Sequence, residues 1–442
     1  MISTLLLSLL LACHAHGGAA GDDTAPPGAS PTWNQDVAPI LAKSCMGCHS
    51  QGGIAPIPLD SYTDAAAVAA QVADATLARR MPPFLVTGDG SCGDFADNPW
   101  LSDADLATLQ AWAQAGAPEG PAAAPVTQTP MPTLSGDLRE LHTPDFVPEI
   151  VGGAYAESDE YRCFDIGTVD QDTWLTGYDV QPGNAALIHH VLVMPVDPSV
   201  VNGTGKTAAQ LMTELEAQDD REGWPCFGNA GQGLSYQGIP VAWAPGQGAV
   251  VYPDHSGVRL AAGTHMVAQV HYNLADEAVR GQSDQTTIQL QLQDKVDKEG
   301  FFALPDGFLD TLGGWNEASL PAGEVATTYS WHSSSADLLG WYAGDTTGII
   351  GGDLYAIMPH MHTFGRQMQV HVDDTCIAQV DQWNFGWQRM YTYATPIHLT
   401  GAETLKVDCT YDTTAAEESV TPGWGTGNEM CLTVLYVVLD RG

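Results

Sequence analysis

At 442 residues, with 44% hydrophobic and only 15% charged side chains, the chain has apolar surface enough for roughly two to four compact units and is not a disordered polymer. A formal net charge of -38, from 53 acidic against 15 basic residues, repels phosphate backbones and anionic lipid heads, so nucleic acid is excluded as a partner. The same surface suits a soluble, self-repelling exported protein.

The first element is an export signal. Ile2 to Ala12 is apolar but shorter than the roughly 20 residues that span a bilayer, and it ends at Leu10-Leu11-Ala12-Cys13, which resembles a bacterial lipoprotein cleavage box. Residues 1–13 therefore read as a signal peptide, with Cys13 as a lipidation site and the lipid anchor as the sole membrane contact. The small-residue, Pro-containing stretch 14–30 follows as a tether. The expected location is the bacterial cell envelope, periplasm or outer-membrane lipoprotein, or the secreted medium.

Residues 31–120 carry helical patterning. Val37, Ile40 and Leu41 recur at helical spacing, Asp64 to Arg80 is Ala-rich with Val68, Val72 and Leu77, and Ser102 is an N-cap ahead of Leu106, Leu109 and Trp112, with Gly116 as the stop. Within this region Cys45-Met46-Gly47-Cys48-His49 is a C-x-x-C-H, the attachment pattern of c-type haem. Two thiols at this spacing reach the two vinyl groups of one porphyrin edge, and His49 falls beneath the iron as an axial ligand. A redox C-x-x-C leaves the adjacent His unexplained. Met81, in Arg79-Arg80-Met81-Pro82-Pro83, is the candidate second axial ligand, against the plainer alternative of a core Met. The expectation is a small all-α cytochrome c-like domain over 31–120 carrying one haem c.

A Pro/Ala/Thr-rich linker over 121–136 leads to a different texture. Short runs rich in Val, Leu, Ile and Tyr alternate with Gly/Asp/Asn/Pro clusters, as in Ala186–Pro195, Val267–Tyr272, Gln367–Val372 and Leu432–Leu439. This spacing predicts antiparallel strands in sandwiches, and the length fits two of them. Setting aside Cys13, Cys45 and Cys48, six cysteines remain: Cys92, Cys163, Cys226, Cys376, Cys409 and Cys431. They are an even set suited to disulfides in an oxidising compartment, and their spacing leaves all 15 pairings open.

The strand-rich half holds His189-His190, His271, His360-Met361-His362 and Met430. Singly, each is more often a satisfied core residue than a ligand. His360 and His362 alternate on a strand and so point the same way, able to share one metal. A thioether from Met430 is a soft ligand that suits Cu(I) and argues against zinc, and no H-E-x-x-H accompanies these residues. Adjacent His189 and His190 point apart on a regular strand, so sharing an ion requires a bulge there. His265 lies on the face of His271 if the strand is regular and is a rival for that site.

From about Asp137 onward the sequence resembles the type II, ascorbate-dependent copper monooxygenases, the family of peptidylglycine α-hydroxylating and dopamine β-monooxygenases. Four motifs stand in the family's order: His189-His190, Gln269-Val270-His271-Tyr272-Asn273, His360-Met361-His362 and Glu429-Met430-Cys431. Ala242-Trp243-Ala244-Pro245-Gly246, Gly365-Arg366 and Cys409-Thr410-Tyr411-Asp412 add to the likeness. The resemblance implies two mononuclear copper sites: His189, His190 and His271 for the copper that relays electrons, and His360, His362 and Met430 for the copper where O2 is activated and catalysis occurs. It implies two jelly-roll-like domains, here 137–297 and 298–442, with a solvent-filled cleft between the coppers, and disulfides Cys409–Cys431 and Cys163–Cys226. Cys92 and Cys376 have no family partner and pair across domains or stay free.

The peptide-hydroxylating members fix a substrate carboxylate with polar residues at positions held here by Met358, Leu432 and Val434, so a peptidylglycine substrate is not expected. The reading is a copper monooxygenase hydroxylating a C–H bond of a small, hydrophobic or neutral molecule with O2, its electrons coming through the haem, from ascorbate or from a redox protein. The alternative is a non-catalytic haem/copper electron-transfer or copper-binding lipoprotein.

Overall fold

The computed structural model describes residues 30–441 except 52–54, 56, 97, 127–131, 152–158, 219, 227–228, 246, 254, 275, 304–318, 341–347, 386 and 424–426. The signal segment, Cys13, the tether as far as residue 29 and Gly246 lie outside the described residues.

A π-helical turn, Trp33–Val37, runs into α1 (Ala38–Ser44); α2 (Tyr62–Ala67), α3 (Ala69–Leu77) and α4 (Asp103–Gln114) follow. Ser102 starts α4 with a capping box: its hydroxyl accepts from the Asp105 amide while the Asp105 carboxylate accepts from the Ser102 amide. The apolar faces of these helices meet in their own small core around Trp33, Leu41, Leu109 and Trp112. These short helices do not by themselves define a cytochrome-like domain. The loop between α3 and α4 leaves this core and rejoins it at Leu101. Phe84, Val86 and Phe95 are buried in the core of the C-terminal half, Val86 bridges Val380, and Cys92 is disulfide-bonded to Cys376.

The strands of the first half are β1 (Asp137–His142), β2 (Asp159–Thr168), β3 (Thr173–Gln181) and β4 (Ile188–Val196). After α5 (Ala208–Glu216) come β5 (Trp224–Pro225), β6 (Val241–Trp243), β7 (Val250–Val251), β8 (Ser256–Leu260), β9 (His265–Asn273) and β10 (Thr287–Gln293). The second half has β11 (Lys298–Ala303), β12 (Thr327–Ser334), then α6 (Ser335–Gly340) and β13 (Ile349–His360). Last come β14 (Gly365–Val372), β15 (Thr375–Val380), β16 (Tyr391–Leu399), β17 (Thr404–Tyr411) and β18 (Leu432–Arg441).

Three sheets result, in a mostly β architecture of sandwich type. A nine-stranded sheet has the order β1-β10-β3-β8-β11-β18-β13-β16 with β7 on β3; the other two are β5-β2-β9-β4-β6 and β12-β17-β14-β15. The expectation of purely antiparallel sandwiches needs one correction. β8 and β11 pair in parallel, and through them one sheet serves both halves.

β18 shows why. Every residue from Leu432 to Leu439 is buried, so this strand has no solvent face, and all but Thr433 are apolar or aromatic. Leu432, Val434, Tyr436 and Val438 enter the core of the first half, while Leu435, Val437 and Leu439 enter that of the second. Period-two alternation thus makes β18 the wall shared by two cores. Leu432 and Val434 are packing residues of that wall.

Among the described residues no helix is long and apolar enough to cross a membrane.

Candidate functional site

β2, β9 and β4 are adjacent, and their register aligns Tyr161, His271 and His190 across the sheet. Cross-strand partners share a face, so His190 and His271 project together. His189 joins them because the β4–β9 register slips between Ile188 and His190. With one extra residue in β4, both histidines of the pair reach the face that a regular strand would give to one of them. Their Nδ1 atoms approach within 3.2 Å for His189 and His190 and 3.4 Å for His190 and His271. The ligand atoms of all three lie within 4.8 Å of one another, a group able to hold a metal ion.

Burial sets the protonation state of this cluster. It pulls His189 down to about 4 and His190 and His271 well below the ordinary histidine range, with neighbouring histidines pulling the same way on the latter two. All three rings are therefore neutral at neutral pH and offer lone pairs. The Tyr161 ring stacks on His271 with centroids 3.9 Å apart. His265 stands at the far end of β9, its Nδ1 2.7 Å from Asp165, and is not part of the group.

The second set lies where β13 ends. His360 is the last residue of β13, opposite Leu432, and His362 follows two residues on. His360 Nδ1 bonds to Gln388 Oε1, and His362 Nδ1 lies 3.0 Å from the carbonyl oxygen of Asn428. Gln388 Nε2 donates to the Phe385 carbonyl, which leaves its Oε1 facing His360. A carbonyl oxygen only accepts, so both Nδ1 atoms carry the proton and both Nε2 atoms carry the lone pair. Burial pulls His360 down to about 4, which keeps it neutral.

Glu429 ties the backbone of Met430 to that of His362. One oxygen of the Glu429 carboxylate accepts from the amides of His362, at 2.9 Å, and of Met430, at 3.2 Å; the other accepts from Phe364 at 2.6 Å. Burial pushes Glu429 up to about 7, opposed by these backbone donors. The Tyr411 hydroxyl donates to the Met430 carbonyl, and the Cys409–Cys431 disulfide pins the next residue. Cys163 and Cys226 are joined as well, beside β5. Gln388, Glu429, Phe385 and Tyr161 were not distinguishable by sequence pattern as supports of the site. Glu429 alone left a trace, as the first letter of E-M-C.

The two sets face each other. A proton on His360 would oppose one on His189, and a proton on His362 one on His271. Between them stands Phe385, stacked on His189 with centroids 4.4 Å apart and edge-on to His362 at 5.8 Å. An aromatic ring thus occupies part of the space where an open solvent cleft is expected.

The C-x-x-C-H turn lies after α1. The amides of Cys48 and His49 both donate to the Cys45 carbonyl, one helical turn that brings the thiols onto neighbouring positions. Cys45 and Cys48 are the free cysteines among the described residues, and burial pushes both thiols up, Cys45 to about 12. His49 Nδ1 lies 2.6 Å from the Ile57 carbonyl, so Nδ1 is the protonated nitrogen and Nε2 is free to bind a metal. Met81 is half-buried after α3 with its amide bonded to Ala75. The Arg389 guanidinium, next in sequence to Gln388, opposes the burial effect at Cys48.

Comparison with known proteins agrees with the copper reading of the C-terminal half. Residues 342–438 match the sequence model of the copper type II ascorbate-dependent monooxygenase C-terminal domain. The chain is 22% identical over 364 residues to tyramine beta-hydroxylase of Caenorhabditis briggsae, covering 78% of this chain and 54% of the relative. The chain thus spans about half the length of the curated relative that it matches. Among solved structures, PNGF-II gives a TM-score of 0.25 at 8% identity, covering 69% of this chain and 65% of that one. VP2 of infectious bursal disease virus gives 0.16 at 11% identity, covering 73% and 75%. Such scores carry no argument about fold.

Proposed function

We propose that the chain is a copper-dependent monooxygenase that hydroxylates a C–H bond of a small, hydrophobic or neutral molecule with O2. The observation that carries this reading is the meeting of two histidine sets across Phe385, one a buried group of three and the other tied through Glu429 to Met430. Histidine nitrogen alone suits zinc or copper, whereas the added sulfur of Met430 selects copper that cycles through Cu(I). The donor sets fit two copper ions: His189, His190 and His271 would hold one through Nδ1, and His360, His362 and Met430 the other through Nε2 and Sδ. Copper, when bound, supplies single electrons and O2 activation.

The protein's own residues do the arranging. Gln388 and the Asn428 carbonyl fix the tautomers of His360 and His362, so Nε2 of each keeps its lone pair. Glu429 gathers the amides of His362 and Met430 onto one carboxylate and so ties the two residues together. Phe385 excludes water from the gap between the sets. Support for an apolar substrate rests on Phe385 and Met358, since Leu432 and Val434 are committed to the shared wall. Met358 at a family anchor position argues against a carboxylate-bearing peptide.

We also propose that Cys45, Cys48 and His49 hold one haem c, with Met81 as the second axial ligand, and that the N-terminal helices form its domain. The reduced, unpaired thiols on one helical turn and the free Nε2 of His49 fit that group. Packing of Phe84, Val86 and Phe95 on the C-terminal half, with the Arg389 charge reaching Cys48, supports a haem that serves the copper sites as electron source alongside ascorbate. Export through the N-terminal signal, with lipid on Cys13, completes the proposal.

Copper stoichiometry with aerobic product screening on purified full-length protein tests the whole. Two copper ions per chain and oxygen uptake coupled to a hydroxylated product are expected. One zinc and no copper, or copper without any oxygen uptake, overturns the enzyme. A reduced spectrum with no c-type α-band removes the haem alone.

A further inference from the structure

His271 is held from two sides. Its Nδ1 faces His190, and its Nε2, which makes no hydrogen bond, lies 3.3 Å from Oδ1 of Asp159, with the two side chains only 0% and 4% exposed. Asp159 opens β2, two residues before Tyr161, whose ring covers the face of the same imidazole. One short strand segment therefore supplies both a flat support and a carboxylate to one histidine. The carboxylate's charge also reaches His189.

The other set is built differently. The remote nitrogens of His360 and His362 face neutral carbonyl oxygens, from Gln388 and Asn428. A buried carboxylate behind a ligating imidazole makes it a stronger donor and adds a compensating negative charge in a medium of low dielectric. Both effects favour Cu(II) over Cu(I). A thioether has the opposite preference.

We propose that Asp159 acts through His271 as a positioning charge that stabilises Cu(II) at the three-histidine site and so lowers its reduction potential. The inference rests on the copper reading above.

The test uses the full chain in a His360→Ala background, so that one site fills, with copper alone as the probe. Cu(II) affinity is measured by competition with an amino-acid chelator, and Cu(I) affinity with a chromogenic chelator. Asp159→Asn is expected to weaken Cu(II) binding about tenfold while leaving Cu(I) binding unchanged. That selectivity equals a midpoint rise of about 59 mV for one electron. Asp159→Glu, which keeps the charge, is expected to restore most of the Cu(II) affinity. Equal losses for both ions, or no loss for either, overturns the inference while leaving the site intact. If Asp159→Asn does not fold, Asp159→Ser removes the same charge with less volume. Absence of copper from the unsubstituted Asp159 protein removes the site itself, and is seen before any Asp159 variant is made.

Discussion

Replacing Met430 by leucine separates ligation from packing. Met430 is 4% exposed and sits in the core with Leu432 and Val434, so truncation to alanine would open a cavity costing about 2–5 kcal/mol and blur any result. Leucine has nearly the same volume, and such swaps cost less than about 1.5 kcal/mol. The variant keeps the Tyr411 and Glu429 hydrogen bonds, which reach only the Met430 backbone. What it loses is the one sulfur donor. Even an outer partner of a metal ligand is worth roughly 10–100-fold in affinity, so loss of the ligand itself should weaken Cu(I) binding at this site at least about 100-fold, or about 2.7 kcal/mol. The assay is Cu(I) titration with a chromogenic competitor, alongside denaturant unfolding of the copper-free protein. One tight Cu(I) per chain instead of two, with an unfolding midpoint close to wild type, is expected. A leucine variant that still holds two ions at full affinity refutes the assignment of Met430.

Three further outcomes follow from the geometry. Cys92→Ser with Cys376→Ser opens a link between residues 284 apart, for which chain entropy gives an upper limit of about 5 kcal/mol because the nested Cys163–Cys226 bridge shortens the loop; denaturant unfolding should show a clear loss, and an unchanged midpoint would mean that packing of Phe84, Val86 and Phe95 holds that loop unaided. Copper-free protein should lose stability as pH falls from about 6.5 towards 4, because His189 and His360 are held at about 4 and the unfolded chain binds their protons first; thermal unfolding across that range checks the sign, and stability rising on acidification would contradict the buried neutral histidines. Phe385→Ala should admit water between the two sets, seen as oxygen consumed in excess of hydroxylated product, while both coppers remain bound; tight coupling in that variant would show that Phe385 is not the barrier.

The ligand types were legible because their chemistry is local. C-x-x-C-H, H-x-H and E-M-C are each read within a few residues, and strand alternation alone aims His360 and His362 the same way. Alternation failed where the backbone departs from it. Nothing in Ile188-His189-His190 announces the register slip that turns both rings to one face, because a bulge is set by pairing with β9 rather than by β4 itself. The supports were hidden for a similar reason: Asp159, Gln388 and Glu429 lie 112, 28 and 67 residues from the histidines that they serve.

Taken alone, the order of amino acids determined which side chains are candidates to bind metal or haem, that the C-terminal two-thirds would be strands, and that the chain would be acidic, since each depends on residue identity and short-range periodicity. Only the tertiary structure decided that Cys92 meets Cys376, that β18 is buried on both faces between two cores, that Phe385 stands between the histidine sets and that a carboxylate backs His271. Those are contacts between distant segments, fixed by which strands become neighbours, and no window of sequence contains both partners.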